Sequence, residues 1–309
     1  MPLVSIILPS YNHGRFLKRR LESITHQTFI DWELIIIDDC STDNSYEELT
    51  KFYNRYKSKI SKFIRNDKNS GSGYISWKKG IELAQSKYIW IAETDDYSAP
   101  NFLKNQIQLL ENNKEASLSF CASVYVNEKE EVLYTSINRT QDLNVPIGAA
   151  KMFCGDKLLD KMPFNTYITN GSSVVFRKPI KKIPQEIFQH KQISDVFLWT
   201  YLVKTKSFLF CNQPLNFFRR HEESTTSKMF HLSSKKVYIE RANYLNFYNE
   251  KDKYKYFLKH YIEHYAWNNK KDMLNTKTIS HIKGVSRIKL KYYGLLLLFS
   301  LKQVLKKML

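Results

Sequence analysis

Residues 88–96 read YIWIAETDD, a short apolar run that ends in three acidic residues, Glu93, Asp95 and Asp96. A short apolar run bounded by polar residues is typical of a strand buried on both faces, as in a parallel sheet. Carboxylates this close repel one another, and a fold can hold them together at a strand end if a cation neutralises them. The stretch predicts a buried strand with a functional acidic end. The alternative is a solvated acidic turn that caps the next helix.

Three similar units precede this strand. Predicted strands at residues 4–8, 33–37 and 62–65 alternate with segments of helical spacing, among them 45–56 and 74–84. Strands and helices in alternation imply a parallel sheet with right-handed crossovers. The first third of the chain is therefore predicted to be an α/β sheet flanked by helices.

The remainder of the chain is less regular. Helical spacing recurs at residues 101–110 and 194–203, and from about residue 233 onward the pattern is helical, with many Lys and Tyr residues. Residues 141–169 show neither period and are predicted to form a loop with helical turns. Strands are predicted at 117–126, 132–135 and 172–176, with one or two more within 208–218.

Two other predicted strands also end in polar residues. PSYN at 9–12 follows the first strand, and Asp38 and Asp39 follow the second. Ligands of open parallel sheets bind beyond the carboxyl ends of the strands, so the three polar ends are candidates for one site. A carboxylate placed there can accept hydrogen bonds from a base or ribose, although Asp38 and Asp39 can instead cap the following helix. The oxygen ligands of 93–96 suit Mg²⁺ or Mn²⁺.

Several classes of protein lack support in this sequence. There is no G-x-G-x-x-G after the first strand, as in dinucleotide-binding folds, and no G-x-x-x-x-G-K-[ST] phosphate-binding loop. The four cysteines are far apart and follow no metal-binding or disulfide pattern, which fits a cytosolic protein. The net charge is +18, but no RNA- or DNA-binding motif accompanies it. We expect no nucleic-acid partner.

The order and spacing of these elements resemble glycosyltransferase family 2. The resemblance covers roughly residues 3–227 and includes VSIILPSYN, SITHQTF, WELIIIDDCSTD and the strand at 88–96. It implies the GT-A fold, a mostly parallel sheet flanked by helices. It also implies an inverting sugar transfer from a nucleotide-sugar, with UDP as the usual nucleotide and Mn²⁺ or Mg²⁺ as cofactor, of the kind used for bacterial surface polysaccharides.

The resemblance also implies roles for individual residues in the donor half. Asp95 and Asp96 would hold the metal and the ribose or diphosphate, and Glu93 takes the first position of the family's D-x-D element. Glu93 stands where Asp is more usual, and SWK at 76–78 replaces an Ala-Arg-Asn stretch, so an expected arginine is missing. The nucleotide would be bound by Pro9, Tyr11, Asn12 and Asp39.

In this family the base that deprotonates the acceptor hydroxyl opens an amphipathic helix in the second half. SDVFLW at 194–199 resembles that segment, which makes Asp195 the candidate base. The alternative is a first-turn carboxylate favoured by the helix dipole. RRHEES at 219–224 resembles an element that approaches the leaving diphosphate, with His221 as a metal ligand and Arg220 as a diphosphate partner. The alternative there is a charged surface turn.

Positive charge is concentrated toward the end of the chain. From Lys251 onward there are 14 Lys/Arg and 3 Asp/Glu, a net +11 out of +18. Residues 283–309 mix basic and apolar side chains, as in a helix that lies on an anionic bilayer. The same helix could instead pack on the catalytic domain or a partner. We expect a protein that is cytoplasmic and peripheral at the inner face of the plasma membrane, with a lipid-linked or polysaccharide glycan as acceptor.

The predicted organisation is a catalytic GT-A domain over residues 1–228 and a basic helical region over 229–309. Within the domain, 1–112 would bind the nucleotide-sugar and 113–228 the acceptor. Two alternative functions stay open. A sugar-nucleotide nucleotidyltransferase would share the sheet and metal, but should carry a Gly-rich loop with Arg and Lys in place of PSYN. A non-enzymatic, basic nucleic-acid-binding protein would use the net charge.

Overall fold

The structure, a computed structural model, describes residues 1–222, 235–269 and 285–308. The chain divides into two units, Met1–His221 and Glu222–Leu309. The boundary predicted near Lys228 lies outside the described residues.

The first unit is built on one mixed sheet. Its strand order is β3-β2-β1-β4-β9-β6-β10-β5, with β7 paired to β6 and β8 paired to β10. The strands are β1 (Val4–Ser10), β2 (Trp32–Asp38), β3 (Ile60–Arg65), β4 (Tyr88–Ile91), β5 (Tyr97–Ser98), β6 (Ala116–Val126), β7 (Val132–Thr135), β8 (Ala150–Cys154), β9 (Val174–Arg177) and β10 (Ser207–Arg219).

Helices flank this sheet and make up the described part of the second unit. Those of the first unit are α1 (Gly14–Thr25), α2 (Ser45–Arg55), α3 (Gly73–Leu83), α4 (Phe102–Asn112), α5 (Gly155–Leu159) and α6 (Ser194–Val203). Those of the second unit are α7 (Lys235–Phe247), α8 (Tyr254–His264) and α9 (Val285–Met308).

The predicted parallel pairing of the first strands is confirmed. β1 pairs in parallel with β2 and with β4, and β2 pairs in parallel with β3. Every residue of β1 and β4 is buried, which is why both read as continuous apolar runs rather than alternating ones. β9 then lies antiparallel between β4 and β6, so the sheet becomes mixed in its second half.

Residues 141–169 are more regular than predicted. They contain β8 and α5, where the sequence indicated a loop with helical turns. The residues of β8 are exposed or half-buried, so no alternation of buried and exposed positions marks the strand in the sequence. The strand is held by antiparallel pairing with β10. α5 has five residues, which is too short for a helical period to be visible.

Two strand assignments also shift. Residues 171–173 form a short 3₁₀ turn, so β9 begins at Val174 rather than at residue 172. β10 is a single strand from Ser207 to Arg219, with register shifts on both sides of Pro214. Proline has no N–H to donate to the neighbouring strand, so the ladder is interrupted there.

In the second unit, α8 and α9 contact each other through aromatic side chains. The ring centroids of Tyr261 and Tyr292 are 6.1 Å apart, and both residues are buried. α9 also leaves Leu297 and Leu301 63% and 53% exposed. Among the described helices, none is both long and apolar enough to cross a membrane.

Gly80 determines how closely α3 packs on β1. A methyl group added at Gly80 would lie 2.3 Å from Cγ2 of Ile7, a fully buried residue in the middle of β1. Real contacts are never this short, so a side chain at this position would push α3 away from the sheet.

We expect Gly80→Ala to lower the free energy of unfolding by about 1–3 kcal/mol, the usual cost of overpacking a core. Alanine is the better helix former by about 1 kcal/mol, which opposes but does not remove this effect. Urea denaturation of the purified chain measures the difference. Gly73→Ala in the first turn of α3 is the matched control, because its added carbon has no atom within 4 Å. Equal stability of the two variants would contradict the close packing.

Candidate active site

The polar ends of three neighbouring strands meet at one edge of the sheet. β1 lies between β2 and β4, and Ser10 at its end pairs with Asp38. The Asp39 amide donates to the Ser10 carbonyl oxygen (2.8 Å), and the Ala92 amide donates to that of Ile7 (2.8 Å). The structure therefore places the three predicted polar clusters side by side.

Asn12 shapes the turn after β1. Its φ is 52°, in the left-handed region that Asn tolerates better than most residues. Its side-chain nitrogen donates to the Thr42 hydroxyl (3.2 Å), and its side-chain oxygen accepts from the Thr42 amide (2.8 Å). Asn12 thus fastens this turn to the loop after β2. Tyr11 is 42% exposed beside it, whereas Pro9 is buried within β1.

Asp39 orders the loop that leads into α3. Its Oδ1 accepts from Nδ2 of Asn66 (2.6 Å), and its Oδ2 accepts from the Ser70 hydroxyl (2.7 Å). The Ser70 amide donates to both oxygens (3.1 Å each). Asp39 is buried, so these bonds compensate its lost hydration. The carboxylate fixes the wall of the site between β2 and α3.

Asp96 is held by the protein on both of its oxygens. Oδ2 accepts from Nδ2 of Asn170 (2.8 Å), and Oδ1 accepts from the Arg219 amide (3.1 Å). The residue is 1% exposed. Burial and the neighbouring charge of Asp95 raise the pKa of Asp96 to about 7. The Asp96 side chain thus connects the residues after β4 to the end of β10 and to the residues before β9.

Asp95 and Glu93 have opposite electrostatic environments. Burial disfavours the ionised form of Asp95, but the charge of His13 and the hydrogen bond and charge of His221 outweigh it and hold the pKa of Asp95 at about 2. Burial raises the pKa of Glu93 well above its usual range, and the charges of Asp95, Asp96 and Asp195 raise it further. Asp95 is the carboxylate of this cluster that stays ionised at neutral pH.

Arg20 is a buried counter-charge that the sequence reading missed. Its Nε donates to the Glu93 carbonyl oxygen (2.7 Å), and a terminal nitrogen donates to the Ser172 hydroxyl (3.2 Å). The side chain is fully buried, which lowers the pKa of Arg20 to about 10, although Asp96, Asp95 and Glu93 act to raise it. Arg20 therefore stays protonated at neutral pH and offsets the acidic cluster. The sequence signal for its burial is that Arg20 stands at helical spacing from Phe16, Leu17 and Ile24, on the apolar face of α1.

A second group of side chains surrounds Asp95 on its other side. Ligand atoms of His13, Asp95 and His221 all lie within 4.8 Å of one another. Nε2 of His221 is 3.1 Å from Oδ2 of Asp95, and the His13 and His221 rings meet edge to face at 5.7 Å. One carboxylate and two imidazoles are a donor set that divalent metals accept. The structure thus brings together two of the predicted ligands, Asp95 and His221, and adds His13.

The fit of a metal to this group is supported by the state of His221. Its side chain is buried, and no hydrogen-bond partner of its Nδ1 is present in the described part of the chain.

His13 follows directly after PSYN at 9–12, and its proximity to the cluster comes from the turn that Asn12 shapes. A histidine at the carboxyl end of a first strand was the only sequence signal for it.

Arg219 contacts the acidic strand end. Its Nε donates to the Asp95 carbonyl oxygen (2.9 Å), and a terminal nitrogen forms an ion pair with Glu130 (3.0 Å). Arg219 is 2% exposed, so these contacts lie inside the protein and hold the end of β10 against the acidic strand end. The Arg220 amide donates to the Val126 carbonyl oxygen (2.8 Å), which extends the pairing of β10 with β6.

Asp195 reaches the same site from the second half of the sheet. It lies in the first turn of α6, as predicted, and the Tyr74 hydroxyl donates to its Oδ1 (3.2 Å). Tyr74 is in the first turn of α3, so this bond joins the two halves of the unit. Asp195 and Asp95 both act on Glu93, so the arrangement presents a carboxylate that can accept a proton in the same site as a group of side chains that could hold a metal ion.

Comparison with known proteins agrees with this geometry. A sequence model described as Glycosyl transferase family 2 matches residues 5–183, which is more than half of the chain. An uncharacterized glycosyltransferase of Methanocaldococcus jannaschii is 36% identical over 133 residues, or 43% of this chain and 45% of the relative. The Escherichia coli UDP-Glc:alpha-D-GlcNAc-diphosphoundecaprenol beta-1,3-glucosyltransferase WfaP is 30% identical over 155 residues, or 50% of this chain and 57% of the relative. The chain thus spans about half the length of these curated relatives.

Solved structures share the fold. Staphylococcus aureus TarS 1-349 in complex with UDP-GlcNAc has a TM-score of 0.59 at 14% identity and covers 95% of this chain and 89% of that one. The Pyrobaculum calidifontis mannosyltransferase PcManGT, in complex with GDP-Man and Mn²⁺, has a TM-score of 0.53 at 13% identity. The match covers 98% of this chain and 80% of that one. These likenesses confirm the GT-A fold predicted from the sequence. Since the family pattern extends over more than half of the chain and its fold is present, the chain belongs to glycosyl transferase family 2.

Proposed function

We propose that the protein transfers a sugar from a nucleotide-sugar to an acceptor hydroxyl, with inversion at the anomeric carbon. The observation that carries this is that Asp195, which accepts from Tyr74, and Asp95, which pairs with His221, both act on the same residue, Glu93. Asp195 comes from the second half of the unit and Asp95 from the first. Burial is the largest cause of the raised pKa of Glu93, and the charges of Asp95 and Asp195 both raise it further. An inverting transfer needs both kinds of group, a base for the hydroxyl and a site that neutralises the leaving diphosphate.

For the donor we propose a UDP-sugar, bound by residues 1–112. The UDP-GlcNAc complex of TarS and the name of the E. coli relative support this choice. In this chain the exposed Tyr11 ring and the loop that Asp39 orders lie at the edge of the sheet where a base and ribose would bind. Pro9 and Asn12 would act by shaping that edge, and Arg220 stays a predicted partner of the diphosphate.

We propose that a divalent cation, Mn²⁺ or Mg²⁺, is held at Asp95 and His221. When bound it would supply positive charge that stabilises the departing diphosphate. The donor set and the buried Nδ1 of His221 support this placement. Both oxygens of Asp96 accept protein hydrogen bonds, so its part would be to fix β4 against β10. Glu93 remains a predicted member of the wider site.

The chemical step follows from where Asp195 lies. As the acceptor oxygen forms its bond to the anomeric carbon, its proton passes to the Asp195 carboxylate. The bond between the anomeric carbon and the diphosphate oxygen breaks, and a nucleoside diphosphate leaves. The hydrogen bond from Tyr74 would hold the carboxylate in one orientation through this step.

For the acceptor we propose a lipid-linked or polysaccharide glycan, bound by residues 113–228. We also propose that the second unit contacts an anionic membrane at the inner face of the plasma membrane. The E. coli relative is named for a diphosphoundecaprenol-linked acceptor, which supports a lipid-linked one. α9 exposes Tyr293, Leu297, Leu298 and Leu301, and Lys291 and Lys302 of the same helix are exposed as well. Exposed apolar and basic side chains on one helix fit an anionic bilayer surface.

Asp195→Asn should lower kcat by about 10²–10⁴, the usual contribution of a general base, because the amide cannot take up the proton. KM for the donor should change little. The assay is release of nucleoside diphosphate from the active member of a panel of UDP-, GDP- and dTDP-sugars. Glu186→Gln, an exposed carboxylate of the same half, is the matched control. Wild-type turnover by Asp195→Asn would remove Asp195 from the mechanism.

Asp95 and Asp96 should separate into a functional and a structural residue. Asp96→Asn places an amide nitrogen opposite N–H donors, so we expect a loss of about 1–3 kcal/mol in the free energy of unfolding. Asp95→Asn should lose metal binding and activity with a smaller effect on unfolding. Urea denaturation and Mn²⁺ titration of both variants measure this. The reverse pattern, metal binding lost in Asp96→Asn and kept in Asp95→Asn, would contradict the assignment.

The double substitution of Leu297→Asp and Leu301→Asp should weaken binding to vesicles of phosphatidylglycerol, measured by co-sedimentation. The reason is that it removes apolar contact and adds negative charge at an anionic surface. Vesicles of phosphatidylcholine test the charge dependence. Leu133→Asp, at an exposed position of β7, is the matched control variant. Undiminished binding of the double variant would argue against this surface.

A further inference from the structure

We propose that His13 is a protein ligand of the metal, so that the site consists of two imidazoles and one carboxylate. Such a site prefers transition metals that accept imidazole nitrogen, Co²⁺ over Mn²⁺, and both over Mg²⁺. The inference rests on the proposed function in that a divalent cation takes part. It goes beyond it in naming a ligand outside the acidic cluster and in giving an order of metal preference.

The backbone holds His13 in place from two sides. It is the residue before the first turn of α1, and its amide donates to the Ser45 hydroxyl at the start of α2 (3.0 Å). The next amide, that of Gly14, donates to Oδ2 of Asp43 (2.9 Å). Two bonds to the loop and helix after β2 therefore fix where the His13 side chain leaves the main chain.

Thr94 orients the His13 ring and selects which of its two nitrogens carries the proton. The Thr94 hydroxyl lies 2.7 Å from Nδ1 of His13 and donates its own proton to the Pro9 carbonyl oxygen (3.3 Å). With the hydroxyl proton directed to Pro9, the hydroxyl oxygen accepts from Nδ1–H, and this neutral tautomer carries its lone pair on Nε2. Metal-binding histidines typically have this arrangement, in which the second ring nitrogen donates to an oxygen that orients the ring. Thr94 is 1% exposed, so it makes this bond inside the protein.

The spacing within the cluster suits a single ion. Two ligand atoms on opposite sides of one metal are about 4.2 Å apart, since each bond is about 2.1 Å long. The ligand atoms of His13, Asp95 and His221 are within 4.8 Å of one another, so a small movement of the side chains brings all three to bonding distance. The Phe16 ring lies 5.9 Å from that of His13 and 4.9 Å from that of His221, which limits how far either ring can turn.

The two imidazoles determine which metal the site prefers. Mg²⁺ takes oxygen ligands and retains water, and it gains little from nitrogen. Affinity for a mixed nitrogen and oxygen site rises from Mn²⁺ to Co²⁺ along the first transition row. A site with oxygen ligands alone follows the same order with smaller differences, so the size of the preference depends on the number of imidazoles. Comparing the preference of the wild type with that of His13→Gln therefore reports on His13 without any need for a sugar substrate.

The test is the binding of the metal alone to the full chain. Pulsed EPR of bound Mn²⁺ counts the coordinated imidazole nitrogens. We expect two in the wild-type protein and one in His13→Gln. Titration should show the Mn²⁺ affinity of His13→Gln reduced by about 10-fold or more, and its preference over Mg²⁺ reduced with it. His26→Gln, an exposed histidine at the other end of α1, should match the wild type.

Thr94→Val and Thr94→Ser test the positioning role of Thr94. Valine removes the acceptor for Nδ1–H and should weaken Mn²⁺ binding, whereas serine keeps the hydroxyl and should restore it. One imidazole on wild-type Mn²⁺, or unchanged selectivity in His13→Gln, overturns the His13 assignment and leaves the proposed transfer reaction standing. A wild-type protein that binds no divalent metal overturns both this inference and the metal part of the proposed function.

Discussion

Three carboxylates within four residues at the end of a buried strand are the constraint on which this structure depends. Such a cluster needs positive charge and N–H donors close by. Arg20 supplies buried charge from α1, and Arg219 and Asn170 supply donors from the second half of the sheet. These partners come from α1, from the residues before β9 and from the end of β10. The cluster therefore ties the sheet together at the point where its ligand would bind.

The same bonds set the register of the second half. Asp96 accepts from the Arg219 amide, and His221 follows two residues later beside Asp95. The end of β10 thus places His221, the proposed metal ligand, beside Asp95, because Asp96 accepts from the last residue of the strand. Tyr74 and Asp195 make the corresponding connection between α3 and α6. In the proposed transfer, this contact would fix the candidate base relative to the donor half of the site.

The sequence predicted those parts that have a local pattern. β1, β2 and β4 were visible as apolar runs, and α6 begins and ends where its helical spacing does, at Ser194 and Val203. His13 and Asn170 were missed because their partners lie 81 and 74 residues away in the chain. Arg20 was missed because a charged residue among apolar ones is usually solvated, and only the assembled cluster gives it a buried partner. β8 was missed because backbone pairing, not side-chain burial, defines it.

The central claim is that the acidic cluster binds a nucleotide-sugar for transfer of its sugar. Phosphorus NMR of the chain with Mn²⁺ and a panel of UDP-, GDP- and dTDP-sugars tests this most directly, because it identifies the bond that breaks. We expect that one donor yields the nucleoside diphosphate, that EDTA stops the reaction, and that Asp95→Asn does not support it. Release of a nucleoside monophosphate with a sugar phosphate would instead indicate attack at phosphorus. That result, or equal activity with and without EDTA, would contradict the account.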